Sequence, residues 1–152
     1  MDAALIAVLG TLLGSVVTHF FQARSTERVA GLARAEQLRQ ERISSYSAFA
    51  GALFDYRRSQ NDRWFRAQEV PGSSQAEEAR FASYEARISA RQALARLQLV
   101  CDRADTRQLA ESAFELANCL HESVDEEDRD RRSRRCKDTL TRFIESAAPS
   151  VR

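Results

Sequence analysis

Glycine and proline are scarce in this chain, and their scarcity limits the folds that are open to it. Five glycines and two prolines are spread over 152 residues, and the first proline is Pro71, within Val70-Pro71-Gly72-Ser73. These residues are the strongest interruptions of a helix, whereas the abundant Ala, Leu, Arg, Glu and Gln favour helix over strand. We therefore expect an all-α protein without a sheet, in which one helix runs from the N-terminal region to about Glu69.

The N-terminal segment is the most apolar part of the sequence. From Ala3 to Phe21 it reads AALIAVLGTLLGSVVTHFF and contains no formally charged residue. As a helix it would rise about 28 Å, close to the thickness of the hydrocarbon core of a bilayer. We predict that residues 1–21 form a single transmembrane anchor, in preference to a buried helix of a small domain. The segment has Asp2 in front of it and no positive charge, so we expect no cleavage as a signal peptide.

The charges that follow the anchor set its predicted orientation. Residues 22–42 contain five arginines and three glutamates. Because cytoplasmic flanks of membrane helices are enriched in Lys and Arg, this flank is expected on the inner side. The prediction is a cell-membrane protein with one span, its N-terminus outside and its C-terminal domain in the cytoplasm.

Small residues recur on one face of the predicted anchor. Gly10 and Gly14 form a G-x-x-x-G pair, and Ala7 lies on the same helical face. Small residues let the backbones of two membrane helices approach closely, so Ala7, Gly10 and Gly14 predict a homo-oligomer, with a homodimer as the simplest form. The alternative is the ordinary glycine content of membrane helices, in which case the segment is a plain tether.

Apolar periodicity divides the rest of the chain into a stalk and a bundle. Residues 22–42 carry three large apolar residues among many charges, which favours a solvated helical stalk or a thin coiled coil. From residue 43 onward, apolar residues recur at helical spacing in four segments. An antiparallel four-helix bundle over residues 43–152 is the simplest arrangement that buries all four.

The same periodicity predicts which residues face the core and where helices begin. The predicted inward residues of the four segments are Ile43, Tyr46, Phe49, Ala50, Leu53 and Phe54; Phe81, Tyr84, Ile88, Leu94 or Ala95, and Leu97; Leu109, Ala113, Leu116, Leu120 and Val124; and Cys136, Leu140, Phe143 and Ala147. Capping pairs predict three helix starts, at Ser74 with Glu77, at Asp105 with Gln108 and at Ser123 with Glu126.

The sequence contains little that catalysis would need. No P-loop, dinucleotide-binding, nucleophile-elbow or zinc-protease motif is present, and the histidines are His19 and His121. Cys101, Cys119 and Cys136 are odd in number and widely spaced, so we expect small apolar core residues in a reducing compartment. We expect no enzyme, no cofactor and no metal site.

The first candidate binding segment combines arginines with aromatic residues. Arg57, Arg58, Arg63 and Arg66 surround Trp64, which is followed by Phe65. Guanidinium groups hold phosphates and aromatic faces stack on bases, so the segment suits a nucleic acid. The alternative is that Trp64 and Phe65 cover the end of the bundle while the arginines stay in water.

The second candidate segment follows an acidic run at residues 125–128. Its basic residues include Arg131, Arg132, Arg134 and Arg135, and every residue between Val124 and Cys136 is charged or serine. Acid first and base later stabilises a solvated helix through its dipole and its ion pairs. Because the segment has no apolar face, we expect it to project from the core. There it could bind an acidic partner, a nucleic acid or anionic lipid headgroups.

The opening AALIAVLGTLLGSVVTHFFQ, followed by an Arg- and Glu-rich helix, resembles the small KilB-type and spread proteins of conjugative Streptomyces plasmids and related actinomycete proteins. The resemblance implies a membrane accessory to intermycelial plasmid transfer that inhibits growth when it is overproduced. It assigns no role to an individual residue.

The leading hypothesis is a non-catalytic, membrane-anchored helical interaction protein. Its expected partners are the membrane, a second copy of the chain and a membrane complex such as a DNA-transfer apparatus. One alternative is a membrane-tethered nucleic-acid-binding protein that uses the arginine-rich helices. Another is a membrane-active toxin or holin-like protein, for which a long ordered tail is an awkward feature.

Overall fold

The structure, a computed structural model, describes the backbone of residues 2–152 and the side chains of residues 27–152. Its helices are α1 (Asp2–Glu69), α2 (Ser74–Val100), α3 (Ala104–Asn118) and α4 (Glu126–Ala147), with short 3-10 helices at Leu120–Glu122 and Ala148–Val151. Residues 2–152 contain no strand, which confirms the predicted all-α class for this part of the chain. The first long helix ends at Glu69, as the position of Pro71 predicts.

The chain divides into two compact units, at residues 1–38 and at Arg39–Arg152. In the first unit, residues 27–38 are exposed apart from Ala30, as expected of a solvated stalk helix. Within residues 27–152 no helix is both long and apolar enough to cross a bilayer. The predicted anchor and its face of Ala7, Gly10 and Gly14 lie outside the residues whose side chains are described.

Contacts near the two ends of residues 39–69, the part of α1 that belongs to the second unit, define the topology of that unit. Arg42 donates to the carbonyl oxygen of Val100, at the end of α2, over 3.1 Å. At the other end, the indole nitrogen of Trp64 donates to the carbonyl oxygen of Ser123, just before α4, over 2.8 Å. The 3-10 turn that follows α4 returns to the first end, where Arg39 donates to the carbonyl oxygen of Val151 over 3.0 Å. Helices α2 and α4 therefore run antiparallel to α1.

Helix α3 completes an up-down-up-down bundle. Its last residue, Asn118, accepts a hydrogen bond of 2.8 Å from the hydroxyl of Tyr56, well along α1. Near its start, the Thr106 hydroxyl is 2.7 Å from the Ser146 hydroxyl at the end of α4. Residues 39–152 thus form an antiparallel four-helix bundle whose connections are short, which is the arrangement expected from the periodicity.

Serine and aspartate cap two of the later helices, at positions close to the predicted ones. The hydroxyl of Ser73 and the carboxylate of Asp125 each accept from the backbone amide three residues further on. The predicted caps Ser74 and Ser123 are therefore wrong by one and two residues. Asp105 is not the N-cap that was predicted, since it lies inside the first turn of α3. Arg103 occupies the N-cap position and makes no side-chain cap hydrogen bond.

Aromatic rings from three helices occupy the centre of the core. Phe49 of α1 and Phe143 of α4 are fully buried and meet edge to face with centroids 5.3 Å apart. Tyr56 packs on Phe114 of α3 at 5.7 Å. Burial of each such side chain contributes about 1.5–3 kcal/mol, so this group contributes much of the stability of the bundle.

The inward face of α2 is not the predicted one. Phe81, Tyr84 and Ile88 are exposed. As far as Ala90, the buried face of α2 instead consists of small residues, namely Ala79, Ser83 and Ala90. The helix has two apolar faces at the same period, and small side chains let its backbone approach the aromatic-rich helices. Phe54 and Val124, also predicted to face inward, are exposed as well, whereas of the alternatives Leu94 and Ala95 it is Leu94 that is buried.

Candidate partner interface

The start of α4 lies beside the last turns of α1, and this brings the two arginine-rich segments together. Arg57 Nη1 donates to Ser133 Oγ over 3.0 Å. The expectation that residues 125–135 project from the core is wrong, because Asp128 and Arg129 are only 7% and 8% exposed. A charged group can be buried when opposite charges or other polar partners compensate for its lost hydration, and both residues have such partners.

Arg129 is held by aromatic rings and carboxylates. Its guanidinium carbon lies 4.1 Å from the centre of the Phe65 ring and 5.2 Å from the Trp64 ring. Its Nη2 also lies 2.7 Å from Asp130 and 3.3 Å from Glu126. A guanidinium over an aromatic face is attracted by the ring quadrupole, so the arginine replaces the apolar face that this part of α4 lacks.

Trp64 is a packing residue in this arrangement. Its side chain is buried, and its indole N–H donates a hydrogen bond to the carbonyl oxygen of Ser123. Its ring meets Phe65 edge to face, with centroids 5.3 Å apart. The indole is therefore not free to stack on a base, and its position matches the alternative in which Trp64 and Phe65 cover one end of the bundle.

Asp128 organises two of the candidate arginines. Its carboxylate accepts from Arg131 Nη2 over 2.6 Å and from Arg132 Nε over 2.9 Å. Burial alone would raise the pKa of this carboxyl, but the backbone N–H of Val124 and the charges of both arginines outweigh burial, so the pKa lies below its usual value. The carboxylate stays ionised and fixes the two guanidinium groups.

A groove between α3 and α4 exposes part of this basic cluster. Its volume is about 530 Å³, and it is lined by Arg131, Arg132 and Arg135 together with Glu115, Leu116, Cys119 and Asp128. Arg135 forms no ion pair within residues 27–152, and neither do Arg58, Arg134 and Lys137, which are also exposed. These free cations suit carboxylate or phosphate groups of a partner.

The two remaining candidate arginines lie elsewhere. Arg66 is near Asp62 and Glu69, with N–O distances of 3.8 and 3.7 Å, as on any solvated helix. Arg63 lies over the Tyr84 ring at 5.4 Å and lines a polar cavity of about 290 Å³ with Arg87 and His121. Sequence reasoning missed this cavity because its walls come from α1, α2, α3 and the turn after α3.

The pKa shifts of Cys119 and Cys136 are not those of activated thiols. Residues 27–152 contain no cluster of three or more His, Cys, Asp or Glu that could hold a metal. Burial raises the pKa of the Cys136 thiol to about 11, and burial together with Glu122 raises that of Cys119. Burial and the charge of Arg63 lower the pKa of His121, two residues from Cys119. Reactive cysteines have the opposite pKa shift.

The comparison with known families falls on the bundle. Residues 43–151 match the family of KilB plasmid transfer proteins. No curated protein and no solved structure matches the chain. The sequence resemblance was drawn from the N-terminal segment, whereas the match begins where the core of the bundle begins and covers most of the 152 residues. This chain therefore belongs to the KilB plasmid transfer protein family.

Proposed function

We propose that this KilB-family protein is a non-catalytic accessory of plasmid transfer, held at the membrane by residues 1–21, and that its bundle docks other proteins of the transfer apparatus. The observation that carries the proposal is the family match over residues 43–151, which coincides with the bundle. The uncharged run from Ala3 to Phe21 supports the anchor, since its length suits one membrane span.

The basic end of the bundle is the proposed docking surface. Arg58, Arg134 and Arg135 are exposed and form no ion pair within residues 27–152. Nearby, Arg129 and Asp128 are buried in a network that fixes the backbone of α4. Charges on a rigid helix steer an oppositely charged partner and fix its register. We therefore expect an acidic surface on the partner.

Deletion and complementation in the native host test this function. The gene is deleted, and plasmid transfer and spread are measured after complementation with three versions of the gene. These encode the full chain, a chain without residues 2–21, and that shortened chain fused to an unrelated single transmembrane helix. The full chain and the fusion should restore transfer, whereas the shortened chain should fail and should fractionate away from the membrane.

Crosslinking in the same host identifies the partners. A C-terminally tagged copy is crosslinked, extracted in mild detergent and purified, and an Arg134→Glu, Arg135→Glu copy is the matched control. Recovery of a DNA translocase or other transfer components with the first copy and not with the second supports docking through this surface. Normal transfer without the gene, or by the shortened chain, contradicts the proposal.

Nucleic-acid binding is the second candidate, because Arg134 and Arg135 are adjacent, exposed cations without an ion pair in the described residues. The burial of Trp64 disfavours stacking of its ring on a base. DNA binding through phosphates would weaken with salt, with a log–log slope of about −0.9 for each phosphate neutralised. Retention of the full chain on DNA that is absent, or indifferent to salt, counts against this candidate.

A further inference from the structure

The outer face of α2 carries a stripe of large apolar side chains. Phe81, Tyr84, Ile88 and Leu99 are 59%, 42%, 58% and 87% exposed. Phe81 and Tyr84 also meet edge to face, with centroids 6.4 Å apart, so they form one surface. Scattered exposed apolar residues are normal, but neighbouring ones on one helix face, such as Phe81, Tyr84 and Ile88, favour an interaction site.

Residues eleven apart along α2 share one face, because eleven residues complete just over three turns of helix. Phe81 is followed at that interval by Gln92, Tyr84 by Ala95 and Ile88 by Leu99. These positions lie about opposite the buried face of α2. A straight row of this kind suits pairing with another helix lying alongside.

Charges on the two flanks of the stripe are of opposite sign in its first half. Arg80 and Arg87 lie on one flank, and Glu78 and Glu85 lie on the other. None of the four forms an ion pair within residues 27–152. When identical helices pair in parallel, each flank meets the opposite flank of the partner, whereas in antiparallel pairing each flank meets itself. Only the parallel arrangement brings Arg80 to the Glu85 of the second copy, and the reciprocal pair forms with it.

The arginines that follow Arg80 on the same flank are turned toward the bundle. Arg87 lines the polar cavity with Arg63 and His121. Arg91, the next basic residue on that flank, is engaged by α3, where its guanidinium lies 5.4 Å from the Phe114 ring and 4.0 Å from Glu115. Arg80 is therefore the arginine of this flank that is left for a contact with the second copy.

We propose that the α2 stripe docks in parallel onto the same stripe of a second copy of this chain. The proposal rests on the proposed function, in which both copies are anchored in one bilayer. Parallel pairing puts residue 39, the first residue of each bundle, on the same side in both copies, as such anchoring requires. Antiparallel pairing would put these two residues on opposite sides. Anchoring in one membrane confines the two copies to the same layer, which raises the effective concentration of each for the other.

Disulfide trapping in the full chain tests the contact. Ile88→Cys is placed in a Cys119→Ser background, expressed in native membranes and oxidised, and Ser89→Cys is the matched control one residue away on the helix. Ile88 is exposed, so the variant retains the core, which circular dichroism verifies. We expect a disulfide-linked dimer from Ile88→Cys and a severalfold smaller fraction from Ser89→Cys. Equal linkage of the two, or linkage of Ile88→Cys to a different protein, overturns the proposal.

Two further measurements fix the orientation and separate this proposal from the anchor. Glu85→Arg should reduce linkage at residue 88, and addition of Arg80→Glu should restore it; failure of restoration overturns the parallel pairing. Linkage between a Phe81→Cys copy and a differently tagged Leu99→Cys copy indicates antiparallel helices and also overturns it. Fractionation of the same samples reports on the anchor. A membrane-bound chain without linkage refutes only the dimer, and a linked chain in the soluble fraction refutes only the anchor.

Discussion

The guanidinium of Arg129 lies 4.1 Å from the centre of the Phe65 ring, within a segment that has no apolar side chain between Val124 and Cys136. The stem and planar head of an arginine can pack where a leucine would otherwise be needed, provided that its charge is compensated. Here Asp130 and Glu126 supply that compensation. A helix that appears entirely solvated in sequence is thereby joined to the bundle.

This contact predicts that Arg129→Ala destabilises the bundle. The substitution removes the cation–π contact and leaves Trp64 and Phe65 partly uncovered, so we expect a loss of about 2 kcal/mol. The loss is measured as the free energy of unfolding of the full chain in mild detergent, by circular dichroism in urea. Arg134→Ala, on the same helix but exposed, should change stability by less than about 0.5 kcal/mol. Equal effects of the two substitutions would show that the Arg129 contacts contribute nothing.

Two phenylalanines that the sequence pattern treats alike should differ in stability. Phe49→Ala removes a fully buried ring and leaves a cavity, so we expect a loss of about 3–5 kcal/mol. Phe81→Ala removes an exposed ring and should cost less than about 0.5 kcal/mol. Urea denaturation at low protein concentration compares them. A large loss from Phe81→Ala would instead indicate that Phe81 faces the core, as the sequence predicts.

The sequence predicts the extent of the helices better than their faces. The scarcity of proline and glycine predicts the end of α1 at Glu69, because local backbone preferences decide it. The inward face of α2 depends on which of two apolar stripes meets the other helices. Its small residues Ala79, Ser83 and Ala90 carry little hydrophobic weight, although they allow the closest packing. Periodicity alone does not distinguish these faces.

The candidate interface was predictable in composition but not in arrangement. Arg134 and Arg135 are exposed, as a charge run leads one to expect. The burial of Asp128 and Arg129 depends on where α1 places the rings of Trp64 and Phe65. Along the chain, α2 and α3 lie between these rings and the two charged residues. Such compensation is a tertiary effect, so it has no local signal in the sequence.

The cavity histidine predicts a loss of stability in mild acid. Burial, with the charge of Arg63, keeps the pKa of His121 below its ordinary value of 6.5 in the folded chain. The unfolded chain therefore binds the extra proton first as pH falls. The contribution of the neutral histidine is complete above about pH 6.5 and is lost as pH falls through the folded pKa.

We accordingly expect the melting temperature to fall from about pH 7 to about pH 5, and to fall less steeply in His121→Gln. His19→Gln, which changes the other histidine of the chain, is the matched control and should retain the full slope. The lowered pKa of Asp128 acts below its ordinary value of 3.8 and so falls outside this window. Identical slopes for the wild type and His121→Gln would refute the assignment.

The exposed arginines of α4 predict a separation of function from stability. Arg134 and Arg135 have no ion pair within residues 27–152, so replacing both by Gln should shift stability by less than about 0.5 kcal/mol. Transfer by the same variant should decline, because the proposed partner loses two charges that steer and hold it. Arg66→Gln, which removes a half-buried arginine near Asp62 and Glu69 on α1, is the control and should leave transfer unchanged. Mating assays in the deletion host, with protein levels matched by immunoblot, make the comparison.

If the double variant transfers normally, the docking surface is not on this face of α4. A decline in both variants would indicate an effect of overall charge instead of a specific contact.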